Sequence, residues 1–393
     1  MVKLIFGLTV SLYLANYLGP KDFGVYSFGI SIISILLLFT NLGIGPILIR
    51  DLVNKKIDSR TLMGSSFTLT LSGGFLGFLL MGFLGFYYGF NSKIGIVIAL
   101  MSPILLFKSL DVINSYFQSS KENKYPALSN IISIIIASSL IIIFIQLNFE
   151  LEYFALLYSF ECILLIISLI YFYGSRNAFY EWKISKLTCL NLLKESWPLI
   201  IAGAASIIHT RIDQVYIGTM LSSSVLGNYS AAAKISEFWL IVPTILNTVF
   251  YPILINLRET NFKKYKRFLF LLIVSLFTFG IIFSTIVSFF SKDIILIIFG
   301  EKYDLASGYL ALYIWSTLPY FSLFILNSVV YIENLIKKNL IVSGVSIIGN
   351  IVLNYYFVQF YGATGAIYAT LIVLLISYSI TAYHIYKYTK LIK

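Results

Sequence analysis

The sequence predicts an all-α polytopic membrane protein, with about 12 transmembrane helices in two six-helix lobes related by an axis along the membrane normal. Three observations predict it. The 393-residue chain is 59% hydrophobic and 11% charged, against about 25% charged residues in a soluble domain. Apolar runs near the length that spans about 30 Å of hydrocarbon recur from end to end. A short motif near the front returns in the middle of the chain at the same topological position.

The runs fall at roughly 4–18, 25–48, 62–88, 94–117, 126–147, 153–173, 197–220, 228–257, 268–291, 305–331, 340–358 and 363–386. Span 1 is short, about 15 apolar residues counted from Met1. With no signal-peptide cleavage pattern behind it, this favours a late start of the chain. Span 2 is loosened by Gly43, Gly45 and Pro46, span 4 by Pro103, span 8 by Pro243 and Pro252, and span 10 by Pro319. Aromatic clusters such as Phe86-Tyr87-Tyr88 and Tyr171-Phe172-Tyr173 mark span ends as an interfacial belt. No long polar stretch interrupts the series, so no soluble domain hangs from either face.

Net charge is +11, with 28 Lys and Arg. In a soluble chain this balance would point to nucleic acid. Here position explains it. With a cytoplasmic amino terminus, 21 basic residues fall on the even side and only Lys21, Lys93, Lys292 and Lys302 on the other; Lys108, Arg211 and Lys234 lie within spans. That asymmetry is the positive-inside rule, and it predicts both termini in the cytoplasm. No nucleic acid partner is expected, nor a metal centre. Cys162, Cys189, His209 and His384 are too few and too separated.

"YLGPKDFGVYS" at 17–27 aligns with "MLSSSVLGNYS" at 220–230, matching Leu18, Gly24, Tyr26 and Ser27 to Leu221, Gly227, Tyr229 and Ser230. The repeat unit is six spans, which divides the chain into 1–173, a cytoplasmic inter-lobe linker at 174–196, and 197–393. Within the linker, Leu187, Leu190 and Leu193 share a helix face and read as an interfacial amphipathic helix. Pro46 pairs with Pro252 and Pro103 with Pro319 across the halves. Such prolines, together with Pro243, either shape packing or serve as hinges.

Span 7 carries the functional argument. Arg211 and Asp213 lie too deep for either to reach water, Arg211 about 20 Å from the cytoplasmic end at about 1.5 Å per residue. Ionised groups at that depth face a polar cavity rather than lipid, and a cavity within the bilayer implies transport. Two residues apart, the pair cannot satisfy itself; Asp213 could instead meet His209. Lys108 with Asp111, and Lys234 with Glu237, are spaced to pair along their own helices. Glu161 is a single carboxyl in span 6, either neutral or a cation site. Arg211 and Lys234 suit an anionic substrate, because a phosphate in a low-dielectric cavity needs compensating charge and Arg offers a bidentate fork. The membrane potential, negative inside, favours outward movement of an anion.

The segment "YLGPKDFGVYSFGISIISILLLFTNLGIGPILIRDL" at 17–52 resembles the opening of the Wzx-like polysaccharide flippases, the O-antigen and capsule branch of the multidrug/oligosaccharidyl-lipid/polysaccharide superfamily. Residues 211–254, "IFGEKYDLASGYLALYIW" and "YGATGAIYATLI" resemble its later segments. The chain departs at its front, where relatives carry some fifteen more residues. The resemblance implies two six-helix lobes around a central cavity in a bacterial or archaeal cytoplasmic membrane. It implies flipping of an undecaprenyl-diphosphate-linked oligosaccharide to the outer leaflet by alternating access. On that reading Arg211, Asp213, Lys234, Glu237, Lys108 and Asp111 line the cavity and Arg50 the cytoplasmic gate. Glu161 or Asp213 couples transport to Na⁺ or H⁺, and the prolines are hinges. Partners would be membrane lipids, a polyprenyl-diphosphate-linked oligosaccharide, and a polysaccharide polymerase and glycosyltransferases, around a monomer without cofactor or catalytic residues. The alternatives are a cation-coupled multidrug exporter, a membrane-embedded polymerase or glycosyltransferase, and a non-transporting scaffold.

Overall fold

The computed structural model describes residues 2–55, 57–175 and 179–391; Lys56, Arg176 and Lys393 of the charge asymmetry lie outside them. All regular structure among the described residues is helical. In hydrocarbon every backbone polar group must be satisfied internally, and a helix does this within one segment. Nine stretches are long and apolar enough to cross a membrane. Two of them, Thr9–Asn54 and Lys337–Tyr388, each hold two helices joined across a break, at Gly19 (φ 69°) and Gly362 (φ 63°). Helix Lys186–Met220 is not among the nine, its apolarity lowered by the polar run from His209 to Gln214. Counting it with the two divided stretches gives twelve helical segments among the described residues.

The chain divides into two compact units. Met1–Leu18 with Val25–Ile207 forms one, and Gly19–Gly24 with Ile208–Lys393 the other. The first contains α1 (Val2–Asn41), α2 (Ile44–Asn54), α3 (Ser59–Tyr88), α4 (Lys93–Met101), α5 (Pro103–Phe107), α6 (Val112–Ser119), α7 (Lys124–Gln146), α8 (Leu151–Gly174) and the first part of α9 (Lys186–Met220). Leu48 of α2, Met63 of α3, Phe117 of α6 and Ile166 of α8 meet in one buried cluster. Ser92 caps α4, its hydroxyl accepting from the Gly95 amide at 3.0 Å.

The division falls inside α9, not in the expected linker at 174–196. The physical reason is that this segment is bonded to the first unit. Lys183 N donates to the Arg60 carbonyl at 3.2 Å, Ser185 N to Ser65 Oγ at 3.1 Å, and Arg60 meets Glu181 at 3.0 Å. The amphipathic turns are not a separate helix; they open α9, with Leu187 and Leu190 exposed and Thr188 and Leu192 buried.

The second unit contains the rest of α9, then α10 (Ser223–Phe238), α11 (Ile241–Thr260), α12 (Phe262–Phe289), α13 (Ser291–Phe299), α14 (Asp304–Tyr313), α15 (Thr317–Ile332) and α16 (Ile336–Leu391). Leu254 of α11, Leu269 and Leu272 of α12 and Ile325 and Val329 of α15 form its core. The residues 19–24 explain the repeat. A Cβ on Gly227 would strike the backbone of Pro20, and a Cβ on Gly24 the Ser223 carbonyl. The matched glycines are therefore the points where two connecting segments touch backbone to backbone, an approach that small residues permit in membranes.

Four of the five prolines open helices. Pro46 is the third residue of α2, behind Leu42 (φ 44°) and Gly43 (φ 61°). Pro243 is the third residue of α11, Pro319 the third of α15, and Pro103 the first of α5. Amides in a first turn have no intrahelical acceptor, so proline costs no bond there. Only Pro252 of the five lies inside a helix. Pro46, Pro243 and Pro319 are thus each the third residue of a helix.

Candidate functional site

The intramembrane charges of α9 and α10 gather in the second unit. Arg211 Nη2 lies 3.3 Å from Glu237 Oε2, both side chains about a quarter exposed (27% and 24%). Glu237 thus pairs across helices with Arg211, a contact that same-helix spacing did not suggest. Lys234 Nζ sits over the Phe23 ring, 5.4 Å from its centroid, and is within electrostatic reach of Arg211 and Glu237. A cation over an aromatic face is attracted by the ring quadrupole.

Asp213 is fully buried. The expected contact with His209 does not form. Asp213 Oδ2 instead accepts from Tyr229 Oη at 2.5 Å, and Oδ1 from the Gln214 amide at 2.7 Å. His209 Nδ1 lies 3.0 Å from Asn350 Nδ2. The repeat match of Tyr26 and Tyr229 acquires a meaning here. Tyr229 donates to Asp213, while Tyr26, in the first unit, lies within electrostatic reach of Glu161. Sequence reasoning named both acids and missed both tyrosines, although the repeat had marked them.

His209 meets Asn350, and Tyr216 meets Tyr355 with ring centroids 6.1 Å apart, so α9 and the first half of α16 pack together. A Cβ on Gly349 would touch Val373 on the returning half of α16. Asn350 Oδ1, Asn354 Oδ1 and Thr370 Oγ1 are buried without a hydrogen-bond partner. Oxygen ligands of this kind suit a hard cation. No group of three or more His, Cys, Asp or Glu able to hold a metal occurs among the described residues.

The other predicted site residues lie in the first unit. Lys108 and Asp111 do pair with each other, at 3.2 Å, in a 3₁₀ turn. They line a cavity of about 270 Å³ together with Asn41, Pro46, Thr70 and Ser115. Arg50, half exposed at the end of α2, holds Asp51 at 2.7 Å and Glu195 at 2.5 Å. Glu161 lies in α8, within electrostatic reach of Tyr26, whose ring centroid is 6.1 Å from that of Tyr158.

The sequence profile of a family described as "Polysaccharide biosynthesis protein" matches residues 1–258. The chain belongs to the polysaccharide biosynthesis protein family. A second profile, MatE, matches residues 198–356. Among solved structures, an inward-facing multidrug resistance MATE family transporter of the MOP superfamily is similar, with TM-score 0.78 and 13% identity over 99% of this chain and 96% of that one. The lipid II flippase MurJ, in an inward closed conformation, has TM-score 0.75 and 18% identity over 97% and 85%. The eukaryotic MATE transporter AtDTX14 has TM-score 0.63 and 12% identity over 99% and 97%. At these identities the likeness establishes the fold: a multi-pass, MATE-like membrane protein. Among curated proteins, none matches the chain.

Proposed function

We propose that the protein is a flippase that moves a polyprenyl-diphosphate-linked oligosaccharide across a bacterial or archaeal cytoplasmic membrane for cell-surface polysaccharide synthesis. The observation that carries the reading is the gathering of two cationic side chains inside apolar helices of the second unit. Arg211 of α9 meets Glu237 at 3.3 Å, and Lys234 of α10 lies within electrostatic reach of both. A diphosphate in a low-dielectric site needs such compensating charge, and Arg offers it a bidentate fork. The membership of a polysaccharide biosynthesis family supports an oligosaccharide cargo, and the fold shared with a lipid II flippase supports a lipid-linked one. The lipid tail remains in the bilayer.

Asp213 would be the coupling group. With the cationic and acidic side chains in balance, a bound diphosphate leaves surplus negative charge. A Na⁺ or H⁺ at Asp213 would offset it. Replacement of Arg211 by Ala is expected to abolish polysaccharide export with the protein still present in the membrane; export at the wild-type level in that variant would end the proposal.

A second reading, a cation-coupled multidrug exporter, is favoured by the MatE match over residues 198–356 and by the acids at Asp213 and Glu237. A deletion strain that becomes drug-sensitive yet keeps its polysaccharide would select it.

A further inference from the structure

An open groove of about 690 Å³ runs along the first unit. Phe67, Leu71 and Phe75 of α3 form its floor, and Phe179, Trp182 and Ile184 form a roof over one end. The roof is fixed in place. Trp182 Nε1 donates to Tyr173 Oη at 2.9 Å, Lys183 N to the Arg60 carbonyl at 3.2 Å, and Ser185 N to Ser65 Oγ at 3.1 Å. Gly64 makes the seat: the Lys183 backbone occupies the space a Cβ there would need.

The groove has two chemically different ends. From Gly64 to Phe75 the floor extends about 16 Å at roughly 1.5 Å per residue, half of the ~30 Å hydrocarbon thickness. It is thus one leaflet deep and apolar along its length. Its roofed end, at the start of α3, is polar and basic. Lys183 and Lys186 are exposed on either side of Ile184, and Arg60 is held by Glu181 at 3.0 Å; Asp58 is the other acid nearby in sequence. Ile184 and Leu187, 68% and 70% exposed, continue the apolar face beside these cations, an arrangement that suits the boundary between headgroups and acyl chains.

We infer that the groove between α3 and the 179–185 segment binds one anionic phospholipid of the leaflet in which α3 begins. An acyl chain lies along Phe67, Leu71 and Phe75, and the phosphate headgroup meets Lys183 and Lys186. Charge complementarity selects an anionic head, since basic side chains beside a membrane face attract anionic lipid. The single-leaflet depth selects an ordinary phospholipid, because the far longer isoprenoid of a polyprenyl carrier would overrun it. The inference does not depend on the cargo proposed above. The bound lipid would fasten the 179–185 segment, and with it the start of α9, to the membrane surface.

Trp182 reports on the groove directly. The protein, with Trp197, Trp239 and Trp315 replaced by Phe, is reconstituted into phosphatidylcholine bilayers doped with brominated-chain phosphatidylglycerol or brominated-chain phosphatidylcholine at equal mole fraction. Quenching of Trp182 should favour phosphatidylglycerol by about fivefold for each engaged lysine, the order expected for a basic side chain at an anionic surface. The preference should fall toward unity in Lys183→Gln/Lys186→Gln. Ser72→Phe, a substitution in the groove wall on a membrane-facing surface, should remove quenching by either lipid, and native mass spectrometry of otherwise wild-type protein should then count one phosphatidylglycerol fewer. Equal quenching by the two headgroups, a preference that survives loss of both lysines, displacement of phosphatidylglycerol by an equal fraction of polyprenyl phosphate, or no quenching at all would overturn the assignment.

Discussion

Asp213 shows how much a single buried carboxylate constrains its surroundings. It has no solvent exposure, so burial without donors would be costly, and two donors reach it, Tyr229 Oη and the Gln214 amide. Hydrogen bonds to charged groups contribute about 1.5–3 kcal/mol. Tyr229→Phe is therefore expected to destabilise the protein by about that amount. A thermal-unfolding double-mutant cycle with Asp213→Asn should give a coupling of roughly 1–2 kcal/mol; additive effects would mean that the two side chains do not interact. In transport assays Asp213→Asn should lose dependence on the coupling cation, with export falling at least about tenfold, a loss of 1.4 kcal/mol or more. Unchanged Na⁺ and pH dependence would remove Asp213 from the coupling role. The acids and bases of this site were legible in the sequence, because a charge in an apolar run stands out. Their partners were not. Spacing offered Asp213 only His209 and Glu237 only Lys234, while Tyr229 and Arg211 came from neighbouring helices.

At the scale of elements, the prolines separate into two physical kinds. Pro46 stands in the first turn of α2 behind a left-handed break, so removing it restores no hydrogen bond. Pro252 lies inside α11 and is exposed, so removing it restores one. Pro46→Ala should shift stability by less than about 0.5 kcal/mol, as surface changes usually do. Pro252→Ala should stabilise by about 1 kcal/mol, a fraction of the ~3 kcal/mol that proline costs in a helix interior, because the surrounding packing is built around the proline ring. Thermal unfolding in detergent measures both; equal shifts in the two variants would show that the distinction carries no energy. If α11 must flex during transport, Pro252→Ala should also slow export while Pro46→Ala should not. The sequence located all five prolines but could not say which opened a helix, since first-turn and interior prolines look alike without the hydrogen-bond ladder.

For the whole molecule, the arrangement of basic residues predicts an orientation that a reporter can read. Alkaline phosphatase fused after residue 300, in the segment expected outside, should be active. The same enzyme fused at the carboxyl terminus should be inactive, and a cytoplasmic fluorescent reporter there should shine. The reverse pattern would invert the topology and place the openings of α3 and α9 on the other side. Each compact unit has its own core, built around Met63, Phe117 and Ile166 in the first and Leu269, Ile325 and Val329 in the second. Residues 19–24 belong with the second unit although they precede most of the first. Gly24 and Gly227 mark this exchange, and the repeat made them visible before the contact was known.

The sequence by itself determined the class, the series of apolar spans, the internal repeat and the positions of the charges within them. Each of these follows from solvent: hydrocarbon demands long apolar helices, penalises ions, and sorts lysine and arginine to one face. The tertiary structure alone decided that Glu237 meets Arg211, that Tyr229 serves Asp213, that residues 183–185 fasten to α3, and that the division between the units falls within α9. These are questions of which helices touch, and between membrane helices contact is set by close packing of small residues and by interhelical hydrogen bonds, which leave no periodic trace along the chain.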